Sequence, residues 1–376
     1  MSDYRGPLDT MPFAFRNLLR RPVRSALTLL GIALGVTTYL VLVSASAGVV
    51  EETESIVRSL RIDLIVQRSG MPIPWQSRIR PDEVAAIRRA PGVAELTPVV
   101  VGVTKLETRP RFFVFGAAPE ALGVLGLKVV AGRAFAPGKN EILAGADAAR
   151  ELDLKPGDRV AIIGRREFTV TGVYRTGRQL LDGGVLLDRP DAQEAFRLGD
   201  LVNLALVTIS PGAVPENVVA AVTAATPELE AIPADLFARQ QDWLKSFARF
   251  ARTLALLALA IAALGISNTL SMNVAERTGE IGLLRAIGWR RARIARLVIA
   301  EGLLLSAGGA ALGLPAAAAI LRLLTRAGFL GVIPARLPAA SAAEGIATVL
   351  AAGLLASLPP LVHALRIRPA RALREL

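Results

Sequence analysis

Residues 273–296 read NVAERTGEIGLLRAIGWRRARIAR, a charged, amphipathic stretch set between two long apolar runs, and its reading decides the organisation of the whole chain. Ile281, Leu284 and Ile287 recur at helical spacing and predict one apolar side. Glu276 and Glu280 come early, whereas Arg285, Arg290, Arg291 and Arg293 come at or beyond the end, the order a helix dipole favours. Gly288 supplies a residue that tolerates a left-handed cap and is expected to stop the helix. Two readings of the stretch stand at this point: a surface helix that only joins two membrane spans, or a helix that offers its apolar side to a partner.

Composition supports the membrane setting. The chain has 376 residues, 52% of them hydrophobic, with a mean hydropathy of +0.46, too apolar for a pair of soluble domains of that length. The net charge of +12 would suggest nucleic acid in a soluble protein. Here the basic residues cluster just outside apolar runs, where they set orientation in a bilayer. No cysteine is present, which removes disulfides, thiolate nucleophiles and thiolate metal sites.

Working outward, the segment 1–24 carries Arg5, Arg16, Arg20, Arg21 and Arg24, and no charge follows from Ser25 to Val50. That run is long enough to cross a bilayer of ~30 Å at 1.5 Å per residue, and longer than the apolar region of a cleaved signal, ~7 to 15 residues. Further spans are expected at 251–274, 296–324 and 344–365, with Pro315 predicted to kink the third and Glu301 placed near its start, where pairing with a nearby arginine suits it better than an ion site. Gly31 and Gly35, like Gly309 and Gly313, have the four-residue small-residue spacing that lets helices approach closely. A short outer loop, 325–343, joins the last two spans, and a tail, 366–376, closes the chain.

Residues 51–250 differ in character: short β-rich runs alternate with short helices and with Pro and Gly, the pattern of an α+β domain flanked by stalk helices. Strands are predicted at Asp63–Gln67, Val93–Leu106, Arg111–Gly116, Arg159–Ile163, Glu167–Arg175 and Val202–Ile209. Helices are predicted at Pro81–Arg89, Ala146–Leu152, Pro190–Leu198, Pro215–Ala225 and, as an amphipathic approach to the second span, Leu236–Phe250. The fold class expected is therefore a polytopic α-helical membrane protein with four transmembrane helices plus one extracytoplasmic α+β domain. With an even number of spans, all three arginine-dense segments fall on one side, the cytoplasm by the positive-inside rule.

Three motifs carry a family resemblance: Phe15-Arg16-Asn17-Leu18-Leu19-Arg20-Arg21-Pro22 followed by Leu29 to Val36, then Glu276-Arg277-Thr278-Gly279-Glu280-Ile281-Gly282-Leu283-Leu284-Arg285-Ala286-Ile287-Gly288, and Arg366-Ile367-Arg368-Pro369-Ala370-Arg371-Ala372-Leu373-Arg374. In order and spacing they resemble the permease subunits of MacB/FtsX-type ABC transporters, and Gly132-Arg133 with the region Gly157 to Val173 resembles that family's periplasmic core domain. His363 stands where the family usually has arginine or alanine. The resemblance implies that 275–295 is a coupling helix docking on a cytoplasmic ABC ATPase, with Glu276, Arg277, Glu280, Ile281, Gly282, Leu283, Leu284, Arg285, Ile287 and Gly288 at the contact. It also implies a second permease copy or paralogue, with Gly31 and Gly35 as candidate helix contacts, and a periplasmic adaptor as a further candidate partner. The expected location is a bacterial inner membrane with both termini cytoplasmic.

No Gly-x-x-x-x-Gly-Lys-Ser/Thr loop occurs, and Gly138-Lys139-Asn140 fails that pattern. The chain is thus expected to hold no cofactor and to be no enzyme itself, with ATP and Mg bound by the partner. The single histidine, His363, lies at the end of the last span, so no histidine-based catalytic or zinc site is expected in the large domain. Asp188, Asp191 and Glu194 lack the turn-glycine loop of a calcium site, and Asp188 before Arg189-Pro190 reads as a helix N-cap. Two functions remain: export or extraction of a lipoprotein, peptide, lipid or antibiotic, or a non-transporting motion that activates an extracytoplasmic partner such as a cell-wall hydrolase.

Overall fold

A computed structural model describes residues 22–71, 73–106, 109–163, 166–326 and 337–367. The motif at Phe15 to Arg21, most of the short outer loop and the arginine motif beyond Ile367 lie outside the described residues. In chain order the elements are α1 (Pro22–Ser59), β1 (Leu64–Arg68), α2 (Pro81–Arg89), β2 (Val93–Leu106), β3 (Arg109–Gly116), β4 (Lys128–Gly132), β5 (Glu141–Gly145), α3 (Ala146–Glu151), β6 (Arg159–Ile163), β7 (Arg166–Arg175), α4 (Gln179–Asp182), β8 (Val185–Leu187), α5 (Arg189–Ala195), β9 (Leu204–Ile209), α6 (Pro215–Ala225), β10 (Leu229–Pro233), α7 (Ala234–Gln240), α8 (Asp242–Glu276), α9 (Thr278–Ala286), α10 (Arg291–Arg326), α11 (Ala339–Ala356) and α12 (Leu358–Arg366). They divide into a sheet unit, Ala47–Phe247, and a helical unit built from the described residues up to Ser46, from Ala248–Leu323 and from 337 onward.

The sheet unit is a mixed ten-stranded sheet in the order β10-β1-β9-β2-β3-β8-β5-β7-β4, with β6 also on β7. Alternation along each strand sends side chains to opposite faces. Leu64 and Val66 join Phe112 and Val114 in one buried cluster, while Ile65 joins Tyr174, Leu186 and Phe237 in another. The helices start where the sequence supplies caps. α2 has Pro81 in its first turn and Glu83 accepting the Arg80 N–H at 2.7 Å. Asp188 caps α5, accepting the Arg189 N–H at 2.9 Å and the Gly138 N–H at 3.0 Å. The neighbouring acids are tied to one cation, with Arg166 reaching Asp191 at 3.1 Å and Glu194 at 2.8 Å.

Between β4 and β5 a strap forms. Arg133 donates twice to Glu141, at 2.8 and 2.7 Å, and the Ala136 N–H adds 2.8 Å to the same carboxylate. The Arg133 hydrogen bonds, aided by that N–H and opposed by burial, hold the Glu141 carboxyl down at about 2 from its ordinary value of 4.5. Four strands went unpredicted, β4, β5, β8 and β10, and the predicted helix Leu236–Phe250 is broken at Gln241, which is buried and extended between α7 and α8.

The helical unit has four helices long and apolar enough to cross a membrane, Ala26–Ser59, Asp242–Glu276, Arg291–Leu324 and Ala339–Arg366. Its interior gathers Ile32, Val36, Leu40, Ala255, Leu270, Leu305 and Val349. The small-residue pairs act here within one chain. A Cβ at Gly35 would come within 2.7 Å of the Ala262 Cβ and 3.1 Å of the Ala258 carbonyl oxygen, one at Gly309 within 2.2 Å of Ile32, and one at Gly313 within 2.8 Å of Val36. Gly35 is therefore used by α8, not left for a second permease. Gly31 has nothing within 4 Å, and it lies among exposed Leu27, Leu30 and Leu34.

Helix ends also differ from the spans read in the sequence. α1, α8 and α10 overrun the boundaries 25–50, 251–274 and 296–324, because flanking charged residues continue the helical hydrogen bonding beyond the apolar stretch. Pro315 sits inside α10, which continues past it to Arg326. The last span is interrupted at one residue, Ser357, which itself keeps helical φ and ψ of −79° and −13°. Pro359 and Pro360 lack the N–H groups that would bond back to α11, so the chain turns at buried Ser357 and restarts as α12.

Candidate functional site

The segment between α8 and α10 is shorter than its predicted 275–295. α8 runs to Glu276 and α10 starts at Arg291, leaving the nine residues of α9 as a separate helix. Its end is built as expected from Gly288. That glycine takes φ +99°, its N–H reaches the Arg285 carbonyl at 3.2 Å, and the Trp289 N–H reaches the Leu284 carbonyl at 3.0 Å. This pair of bonds is a Schellman cap, which satisfies two carbonyls that a helix end leaves free.

The apolar stripe expected at Ile281, Leu284 and Ile287 splits in two. Ile281 is 4% exposed and packs with Val274, Ile294, Val298, Ala364 and Ile367. Gly282 is buried beside it and Leu284 is half-buried. Ile287, at 68%, and Leu283, at 49%, face outward, with Ala286, Gly288, Glu276 and the Glu280 side chain also exposed. The correction has a plain cause: at 100° per residue a nine-residue helix held between two long ones must give one side to them, and Ile281 with Gly282 is that side.

Two arginines expected at a partner contact are also turned inward. Arg277, with its side chain 15% exposed, lies 2.9 Å from Glu280 and 3.3 Å from the buried Glu301 of α10. The arginine pairing expected for Glu301 is thus made by Arg277. Arg285 donates to the main-chain carbonyls of Leu365, at 3.4 Å, and of Ile367. Sequence reasoning missed α12 as the neighbour of α9. The one signal for it is the spacing of Leu361, Ala364 and Leu365, which follows two prolines and is easily read as the tail of a single span. Arg293 stacks on Trp289 at 5.0 Å, fixing the turn from α9 into α10. Among the described residues no group of three or more His, Cys, Asp or Glu is placed to hold a metal ion.

Residues 25–225 match the MacB-like periplasmic core domain, and residues 252–369 match the FtsX-like permease C-terminal region. The chain belongs to the MacB/FtsX family of ABC transporter permeases. The core-domain match takes in α1 from residue 25 on and the sheet unit as far as α6, and α9 lies inside the FtsX-like match. Relatives include a macrolide export ATP-binding/permease protein MacB of Bdellovibrio bacteriovorus, 25% identical over 82% of this chain and 53% of the relative. A pyoverdine export ATP-binding/permease protein PvdT of Pseudomonas putida is 27% identical over 97% and 59%. An ABC transporter permease of Methanocaldococcus jannaschii is 26% identical over 81% and 82%. The chain thus spans little more than half the length of the export proteins it matches. The periplasmic region of MacB from Actinobacillus actinomycetemcomitans aligns with a TM-score of 0.37 at 14% identity, covering 49% of this chain and 94% of that one. Membership and the four apolar helices make this MacB/FtsX permease a multi-pass membrane protein.

Proposed function

We propose that this permease couples ATP hydrolysis, carried out by an ABC ATPase outside these 376 residues, to movement of its sheet unit on the extracytoplasmic side, and that this movement drives export or extraction of an apolar or amphipathic cargo such as a lipoprotein, peptide, lipid or antibiotic. The observation that carries the reading is the two-sided build of α9. One side is anchored in the helical unit through Ile281 and Arg277, while Leu283 and Ile287 stand exposed beside Glu280. An anchored short helix with a small apolar face rimmed by charge suits a groove on a partner. The arginine-rich ends support a cytoplasmic position for it. The export roles of the macrolide and pyoverdine relatives support transport over a switch that moves nothing.

The test is reconstitution in lipid with the ABC ATPase that co-purifies with the wild-type chain. Leu283→Asp combined with Ile287→Asp is expected to abolish ATPase binding and the ATPase's response to the permease, with the fold retained. Unchanged binding and turnover in that variant would refute the reading. Normal coupling with no cargo accumulation on deletion, accompanied by unsplit cells, would refute transport and leave the switch.

A further inference from the structure

α12 is a short helix that follows α11 after the single residue Ser357. It is separated from α11 by the turn at Ser357, where the Ser357 N–H bonds to the Gly353 and Leu354 carbonyls and its hydroxyl also donates to Leu354 at 2.6 Å. Its first turn contains two prolines. Its far end, Ala364 and Ile367, packs in one cluster with Val274 of α8, Ile281 of α9 and Ile294 and Val298 of α10, and one turn beyond Ile281 on the same side of α9, Arg285 donates to the carbonyls of Leu365 and Ile367. The last carbonyls of a helix lack partners within it and attract a cation. A guanidinium with several donors suits two carbonyls at once better than an ammonium does.

We infer that Arg285 is a positioning residue that latches α9 onto the end of α12, so that displacement of α9 is delivered to the last span, about the turn at Ser357, as well as to α8 and α10. Arg285 therefore serves transmission within the permease and not docking of the ATPase, and the inference rests on the proposed coupling of α9 to an ABC ATPase for the source of that displacement. The exposed face that meets the partner is Leu283 and Ile287; the latch lies on the other side.

The absence of native cysteine makes the test clean. Amide exchange over 361–367 in the full chain in lipid is expected to quicken roughly tenfold in Arg285→Gln, as the loss of a charge-assisted hydrogen bond predicts, and to lie between the two in Arg285→Lys. Spin labels at Ala286→Cys and Val362→Cys, both exposed positions, should give a distance distribution that broadens in Arg285→Gln. With ATPase present, Arg285→Gln should keep the wild-type affinity and lose transport per ATP hydrolysed. Unchanged exchange together with an unchanged distance distribution would overturn the latch, as would unchanged exchange with a loss of ATPase affinity, which would make Arg285 a docking residue. If the wild-type chain itself binds no ATPase, the proposed coupling of α9 to an ATPase fails alone, and the exchange and distance measurements still decide whether Arg285 ties the two helices.

Discussion

Replacing Arg277 with alanine should destabilise the helical unit far more than its place in a charged connecting segment suggests. Its side chain is 15% exposed and pairs at 3.3 Å with Glu301, whose side chain is 6% exposed. Breaking such a pair strips the buried carboxylate of a charge-assisted contact, and breaking a buried pair costs about 3–5 kcal/mol. Arg277 also meets Glu280 at 2.9 Å, but the Glu280 side chain is 52% exposed, and an exposed pair of that kind contributes about 0.2–1 kcal/mol. The magnitudes order three variants: Glu280→Ala costs least, Arg277→Ala most, and Arg277→Met with Glu301→Leu recovers most of the loss, because an apolar pair takes the buried charge away altogether. Unfolding of each variant in the same detergent, arranged as a double-mutant cycle, measures the coupling directly. A cost for Arg277→Ala no larger than that for Glu280→Ala would refute the reasoning.

Acid should loosen the sheet unit through the Arg133–Glu141 strap. The folded carboxyl is held below its ordinary value, so its stabilisation is complete above about 4.5 and is lost as the pH falls toward about 2. Glu141→Gln should be less stable than the wild type at neutral pH and show a flatter acid limb in that window, read by circular dichroism. In the helical unit, Gly35→Leu should disrupt packing of α1 on α8, since even a Cβ there meets Ala262 at 2.7 Å. Gly31→Leu, with open space around it, should leave the thermal transition unchanged; a large loss in Gly31→Leu would show that a second chain occupies that face.

Much of this architecture is legible in the amino acids, and the misses share a cause. β2, β6, α2 and α6 begin and end where alternation, proline and charge place them. β8 is three residues long, and β5, Glu-Ile-Leu-Ala-Gly, is buried throughout, so neither has a polar face to alternate with. Their identity as strands comes from neighbours distant in sequence, β3 and β7. The break at Gln241 carries no glycine or proline to announce it. At α9 the charges and Gly288 correctly mark a separate helix, but spacing alone cannot say which side of a helix its own chain will cover. Ile281 and Arg285 were therefore legible as an apolar and a cationic position, and not as contacts of α12.

The interruption at Ser357 also bears on how the last span meets the bilayer. The apolar stretch runs on through it, from Ala339 to Arg366, 28 residues or about 42 Å of helix against ~30 Å of hydrocarbon. A stretch longer than the hydrocarbon meets a thicker or thinner membrane by tilting. The Leu355 and Ala356 carbonyls, which the two prolines leave without a donor four residues on, mark where it can yield as it does so.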